Sequence, residues 1–322
     1  MIIITGCAGF IASRVCTMLL DAGEEVLGID NMNDAYDPLL KKWRLEQLID
    51  RPQFKFLEAD ISNPEIIDLK LSSAPTALLN LAARAGVRQS VTDPWVYYQT
   101  NCIGTLNMLE LCKKLSIPKF VLSSTSSLYG AHKTSPFSES LSTDNPLSPY
   151  AASKKAAESL CFSYHHLYGI DVTVLRYFTV YGPAGRPDMS IFRFARWITE
   201  GEYLHVTGDG SQERDFTYVD DIAKGTILAT KSLGYEIINL GSDHPISINQ
   251  AIATLEDFIG AKASIIFEPT HPADIFATWA DITKAKALLG WEPSTSIEIG
   301  IEKVAEWYKA QRSWASQIEL GE

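Results

Sequence analysis

Tyr150 and Lys154 stand four residues apart in Tyr150-Ala151-Ala152-Ser153-Lys154, just after Pro149 and at the start of a helical pattern. That spacing puts both side chains on one helical face. A free phenol titrates near pH 10 (about 10) and is a poor base at neutrality, but a neighbouring ammonium favours its phenolate. The pair then suits removal of a proton from an alcohol. Many helices carry Tyr and Lys at this spacing by chance, so their surroundings must decide whether they act. Thr125, within Ser123-Ser124-Thr125-Ser126-Ser127, follows a candidate strand and can hold the alcohol oxygen. A serine-rich turn that satisfies its own backbone is the plainer alternative.

A second constellation lies at the N-terminal end. Thr5-Gly6-Cys7-Ala8-Gly9-Phe10-Ile11-Ala12 follows a first apolar run and opens a first helix. Glycines there let the backbone turn sharply and approach a pyrophosphate, which the helix N-terminus stabilises. Ala12 takes the place of the usual third glycine and is still small enough for close packing. Asp30 ends the second apolar run a little over twenty residues further on, where a carboxylate accepts from both ribose hydroxyls and repels a 2′-phosphate. Asp60 ends the third and is placed to meet the adenine, with a solvated loop carboxylate as the alternative. Together these features indicate NAD. An oxidised nicotinamide beside Tyr150 would lower its pKa further.

Short apolar runs alternating with helical stretches are what must position these groups. Candidate strands are Ile2–Thr5, Glu25–Ile29, Phe54–Leu57, Ala77–Leu81, Phe120–Ser123 and Val172–Leu175. Candidate helices between them are Phe10–Ala22, about Pro94–Leu115 and about Tyr150–Tyr168. The alternation predicts an α/β fold, a Rossmann-like doubly wound parallel sheet with helices on both faces. Residues 1–176 form the NAD-binding domain on this reading, with segments near 236–260 returning to it. Residues 177–322, punctuated by Pro183, Gly185, Pro187, Gly201, Gly208 and Gly210, form mainly a smaller α/β substrate lobe. Helices are expected there near Ile191–Thr199, Asp220–Lys231, Ile248–Ile259 and Ile297–Gln311. Such a lobe, set outside the carboxyl ends of the strands, closes over a ligand.

Composition narrows the partners. The net charge of -11 over 322 residues argues against nucleic acid or an anionic membrane. No apolar run reaches the length that crosses a bilayer, and the start of the chain lacks the pattern of a signal peptide. Five scattered cysteines without a CxxC pair fit reduced thiols better than disulfides or a metal centre, so no metal is expected and the cytoplasm is the expected location.

With the glycine turn, Asp30, the hydroxyl cluster and Tyr-x-x-x-Lys in this order, the chain resembles the extended short-chain dehydrogenase/reductase family of nucleotide-sugar epimerases and dehydratases. Supporting segments are Asn80-Leu81-Ala82-Ala83, Thr100-Asn101, Arg176-Tyr177-Phe178-Thr179-Val180-Tyr181-Gly182-Pro183 and Gly208-Asp209-Gly210-Ser211 leading to Arg214. Within that family it is most similar to the UDP-glucuronate 4-epimerases, on Asp30-Asn31-Met32-Asn33-Asp34, Ala83-Arg84-Ala85-Gly86-Val87-Arg88 and Gly185-Arg186-Pro187-Asp188-Met189.

The resemblance implies that Gly6, Gly9, Phe10, Ile11, Asp30, Asn31, Asn33, Asp60 and Ile61 meet the adenosine and pyrophosphate side of NAD. Leu81, Ala82, Ala83, Asn101, Tyr177 and Val180 would line the rest of it, with Tyr150 and with Lys154 on the nicotinamide ribose. Thr125 and Tyr150 would handle O4 of the sugar, and Ser126, Ser127 and Thr179 its carboxylate. Arg88, Arg186, Met189, Arg193, Arg214 and Asp274 would meet the rest of a UDP-sugar, Arg214 at the diphosphate. The family's 4,6-dehydratases carry Thr-Asp-Glu at the cluster and its UDP-glucuronate decarboxylases commonly Thr-Ser-Glu, whereas Thr125-Ser126-Ser127 has no carboxylate. A homodimer is implied through the helices near Pro94–Leu115 and Tyr150–Tyr168. Open alternatives are a decarboxylase, a 4-epimerase of another UDP-sugar, a dehydrogenase with exchangeable NAD and a non-enzymatic NAD-sensing regulator.

Overall fold

The computed structural model describes residues 1–71, 73–132, 135–269 and 277–321. Its first half alternates strand and helix. β1 (Ile2–Thr5), α1 (Phe10–Asp21), β2 (Val26–Asp30), α2 (Pro38–Glu46), β3 (Phe54–Glu58) and β4 (Ala77–Asn80) come first. α3 (Gln89–Thr92) and α4 (Pro94–Tyr97) precede a π-helical turn, Tyr98–Ile103, that runs on into α5 (Gly104–Leu115). β5 (Lys119–Thr125), α6 (Pro149–Tyr168) and β6 (Asp171–Tyr177) follow.

The second half is built from shorter pieces. β7 (Thr179–Tyr181), α7 (Ser190–Glu200), β8 (Tyr203–Thr207), β9 (Glu213–Arg214), β10 (Phe216–Tyr218) and α8 (Val219–Leu228) lead to β11 (Tyr235–Leu240). β12 (Ile246–Ser247), α9 (Ile248–Ile259), β13 (Ser264–Glu268), α10 (Thr283–Leu289) and α11 (Ile297–Ala315) complete it.

Seven strands form one parallel sheet in the order β3-β2-β1-β4-β5-β6-β11. The strands β1, β4 and β5 are buried at every position, as a sheet covered on both faces requires. One apolar layer combines α1 and α8 with the sheet, through residues such as Val15, Leu19, Ile222 and Ala223. The other combines α5 and α6 with it, through Met108, Leu111, Ala157 and Cys161. The order reverses between β1 and β4, and a crevice at such a point takes a ligand.

β11 extends the main sheet beside β6, whereas α9 packs with α7 in a separate apolar cluster that also holds Leu204, Phe216 and Ile301. The stretch 236–260 therefore divides, its strand in the sheet and its helix in the smaller lobe. α11 returns to the first lobe. Trp307 and Trp314 stack with Trp43 of α2, with centroids 5.7 and 6.1 Å apart. Strands β8 and β13 pair in parallel outside the main sheet, and the apolar runs of the sequence give no sign of them.

Candidate active site

The cofactor end is shaped by close backbone contact. Gly6 has φ +71°, and a Cβ there would stand 2.8 Å from the Cα of Ala82. A Cβ on Gly9 would meet the Gly6 carbonyl oxygen at 2.8 Å. Only hydrogen fits, so the turn lies flat against the end of β4 and presents backbone N–H groups with the start of α1. The hydroxyl of Thr5 donates to Asn80 at 2.7 Å, Asn80 donates to Thr105 at 3.1 Å, and the Ala82 N–H donates to Thr5 at 3.1 Å. This buried chain ties the switch-point strands to α5.

Asp30 ends β2, buried, with each carboxylate oxygen engaged. Oδ2 accepts from the Ala8 N–H at 3.1 Å and Oδ1 from the Met32 N–H at 2.9 Å. The Lys41 ammonium lies 3.5 Å from Oδ1 and donates to Asn33 at 2.8 Å. Asn31 donates to Asp60 at 2.8 Å. Partial burial works to raise the Asp60 carboxyl, but hydrogen bonds from Ser62 and Asn31 outweigh it and hold it below its ordinary range. Ile61 is buried beneath, its carbonyl accepting from Asn107 at 2.8 Å. Leu81 and Ala82 pack partly buried against the two core layers, and Ala83 is exposed beside them. A glycine cradle that a methyl would fill, with a helix start and a strand-end carboxylate, fits a dinucleotide.

The reacting end starts with a helix cap. Ser148 accepts from the Ala151 N–H at 3.2 Å and Pro149 supplies the first helical position, which puts Tyr150 in the first turn of α6. Burial raises the Tyr150 phenol, while a hydrogen bond with Thr125 and the positive charge of Arg186 pull it down. Lys154 lies one turn on, 2 % exposed. Burial pushes its ammonium down to about 8, opposed by the carboxylate of Glu158. Thr125 ends β5 and its hydroxyl is shared with Ser127, accepting from its N–H at 3.1 Å and donating to its Oγ at 3.1 Å. The turn thus does satisfy its own backbone, and it also faces Tyr150. Ser126 and Ser127 are half-buried on the short 3-10 turn that follows.

Asn101 sits in the π-helical turn and grips Arg84, accepting from its N–H at 2.9 Å and donating to its carbonyl at 3.0 Å. The sequence periodicity predicts one unbroken helix through this region. The wider turn is the difference, and it is a form that recurs at functional sites. Tyr97 stacks edge-on against Tyr150, with centroids 6.1 Å apart.

On the sugar side, Thr179, Val180, Gly185, Arg186 and Met189 line one small cavity. Arg186 pairs with Asp188 through both its Nε, at 3.0 Å, and its Nη2. Tyr177, expected beside the cofactor, has its side chain turned into the core, its hydroxyl 2.8 Å from that of Thr226. Phe10 packs into the cluster of the smaller lobe beside partly buried Ile11.

The arginines expected at the nucleotide are spread. Arg88 donates to Thr207 at 3.4 Å and Arg214 to the carbonyl of Glu213 at 2.8 Å. Arg193 donates to the Leu320 and Gly321 carbonyls near the end of the chain. Asp274 lies outside the described residues.

Several working residues escaped the reading of the sequence. Glu158 accepts two bonds from Arg176, at 3.0 and 2.8 Å, and one from Ser124 at 2.7 Å, all buried beneath the end of β5. Arg176 reaches on to the Tyr129 hydroxyl at 3.2 Å, which donates to Asn239 at 2.6 Å. Lys41 and Arg44 on α2 are buried as well. In sequence they look like the polar face of a surface helix.

The profile of the NAD dependent epimerase/dehydratase family matches residues 2–241. Over 320 residues the chain is 56% identical to the UDP-glucuronate 4-epimerase of Thermodesulfobacterium geofontis, covering 99% of each. Among solved structures it resembles the UDP-glucuronic acid 4-epimerase of Bacillus cereus, determined with UDP-glucuronic acid and NAD. The TM-score is 0.90 at 38% identity, over 96% of this chain and 99% of that one. The UDP-glucose 4-epimerase of Thermotoga maritima, with UDP-glucose, gives 0.89 at 33% identity over 97% and 99%. The match spans the glycine cradle, the switch-point sheet and Tyr150 with Lys154, and the chain belongs to the NAD-dependent epimerase/dehydratase family.

Proposed function

We propose that the chain interconverts UDP-glucuronate and UDP-galacturonate by inverting C4 through a transient 4-keto sugar. One observation carries this reading: the Tyr150 phenol is hydrogen-bonded to the Thr125 hydroxyl and feels the positive charge of Arg186, beside a turn that offers only neutral hydroxyls. NAD, when bound, takes a hydride from C4 and returns it to the opposite face. Thr125 holds O4, and Tyr150 accepts its proton and later gives it back. Lys154 binds the nicotinamide ribose, and its charge favours the phenolate. The surrounding walls exclude water while the ketone persists.

A 4-keto glucuronate is a β-keto acid and loses carbon dioxide when its C5–C6 bond aligns with the ketone π system. Ser126, Ser127 and Thr179 hold the carboxylate out of that alignment with hydrogen bonds. The remaining assignments follow the same frame. Asp30, Asn31 and Asn33 meet the adenosine ribose, and Arg88, Arg193, Arg214 and Asp274 the nucleotide. Residues 1–176 with β11 form the cofactor domain, and most of 177–322 the substrate lobe.

The protein is proposed to act as a cytoplasmic homodimer. No helix among the described residues is long and apolar enough to cross a membrane, and the five cysteines are free. Trp95, Tyr98, Ile103, Phe162, Leu167 and Tyr168 expose large apolar surface on the α4–α5 stretch and α6. A second copy would cover them.

The test is incubation with UDP-glucuronate without added NAD, with products followed by NMR. UDP-galacturonate supports the reading. UDP-pentose as the main product makes the chain a decarboxylase, and no turnover leaves an NAD-binding regulator.

A further inference from the structure

Helix α2 carries a buried guanidinium that the chemistry above does not use. Arg44 is 2 % exposed, and no carboxylate pairs with it among the described residues. Neutral oxygens take up its donors instead. Nη1 donates to the Ala8 carbonyl at 3.2 Å and the Tyr36 hydroxyl at 2.6 Å. Nε and Nη2 donate to the Ala184 carbonyl at 3.1 and 2.6 Å, and Nη2 also to the Gly185 carbonyl at 3.2 Å.

Ala8 lies inside the cofactor turn, between Gly6 and Gly9. Ala184 and Gly185 immediately precede Arg186, whose charge acts on Tyr150. One side chain therefore joins the backbone that cradles the cofactor to the backbone that reaches the sugar. A guanidinium is a planar fork, so its bonds set direction as well as distance. Burying it without a counter-ion is costly, and an apolar side chain would fill the space more cheaply. General stability is thus a poor account of why it is there.

Two further observations place the need in this loop. Ala184 has φ +51°, a left-handed conformation that non-glycine residues avoid, and its carbonyl is the one Arg44 holds twice. Behind Pro183 and Ala184 lies a cavity of about 220 Å³, walled by Phe10, Trp43 and Tyr218. A loop released from Arg44 has somewhere to go.

We propose that Arg44 is a positioning residue that sets the height of the Pro183–Arg186 segment over the cofactor turn. It thereby sets where Arg186 stands relative to Tyr150 and C4 of the bound sugar. The proposal rests on the 4-epimerase reading in one respect: the ketone must meet the cofactor at the same distance in both orientations. Slack in the segment then shows in turnover and in the fate of the ketone more than in affinity.

The experiment compares the NAD-loaded wild type with Arg44→Lys, which keeps the charge and loses the fork. The expected result is a kcat at least tenfold lower with KM for UDP-glucuronate changed less than threefold. The share of UDP-pentose among products should rise, and amide hydrogen exchange in peptides spanning 182–188 should quicken without substrate. Unchanged exchange, or faster exchange with unchanged kcat and product ratio, overturns the proposal. If Arg44→Lys does not fold, Tyr36→Phe removes one acceptor alone and should move exchange and kcat the same way by a smaller factor; no movement overturns the proposal. If wild type does not turn over UDP-glucuronate, the functional reading fails by itself, and the exchange comparison still decides whether Arg44 holds the segment.

Discussion

Asn101 reaches from the π-helical turn to Ser153 on α6, Nδ2 to Oγ at 2.9 Å, and Ser153 donates to the Tyr150 carbonyl at 2.7 Å. Two helices are thereby locked in register at the residue proposed as base. Asn101→Ala leaves the partly buried Arg84 N–H and carbonyl without their partner, at about 1–2 kcal/mol. Urea unfolding should show that loss, and kcat should fall roughly tenfold as the Tyr150 turn loosens, the equivalent of about 1.4 kcal/mol on the barrier. A stability loss with kcat intact would reduce Asn101 to a structural brace.

Tyr150→Phe removes one oxygen from a residue that packs edge-on against Tyr97. The protein should fold and retain NAD, while kcat falls about 10²- to 10⁴-fold, the range for a lost general base. Residual activity above a tenth of wild type would move the base elsewhere.

The charge of Arg186 favours the phenolate of Tyr150, so removing it raises that pKa. In Arg186→Met the acidic limb of the kcat/KM profile should move to higher pH, whatever happens to the maximum. A limb that stays put means that Tyr150 does not govern it.

Neutral hydroxyls on the strand-end turn are proposed to restrain the sugar carboxylate. Ser127→Ala and Thr179→Ala should each yield UDP-pentose beside the epimer, visible by NMR. Variants that lose activity without any decarboxylation would refute the restraint.

Burial lowers the Lys154 ammonium from 10.5 to about 8. Its folded pKa lies below its unfolded one, so unfolding takes up a proton between these values. The cost of the buried charge is full below pH 8 and fades as pH rises toward 10.5, at most about 3 kcal/mol. In the cofactor-free protein, stability relative to Lys154→Met should therefore rise across that window. A difference that stays flat with pH would mean that Lys154 is not depressed.

Much of the sheet was legible, because strands covered on both faces are apolar over most of their length, and Ile2–Thr5 and Ala77–Asn80 are so up to their last residues. Tyr150 was legible because Ser148 and Pro149 mark a helix start by local rules. What escaped depends on partners far along the chain. Arg44 meets Ala184, 140 residues away, and no local pattern separates it from an ordinary surface arginine. The π-helical turn escaped for another reason: one extra residue in a turn scarcely disturbs a helical apolar rhythm. β13 escaped because all five of its residues are exposed, so burial left no alternation to read.

Asp30 already holds its own loop before any ribose arrives, through the N–H groups of Ala8 and Met32 and the ammonium of Lys41. The entropy of ordering that loop is thus given up when the chain folds rather than when NAD binds. Association then has little left to organise, which favours tight retention and slow release. That kinetic habit suits a molecule that must begin and end each turnover with the same dinucleotide in place.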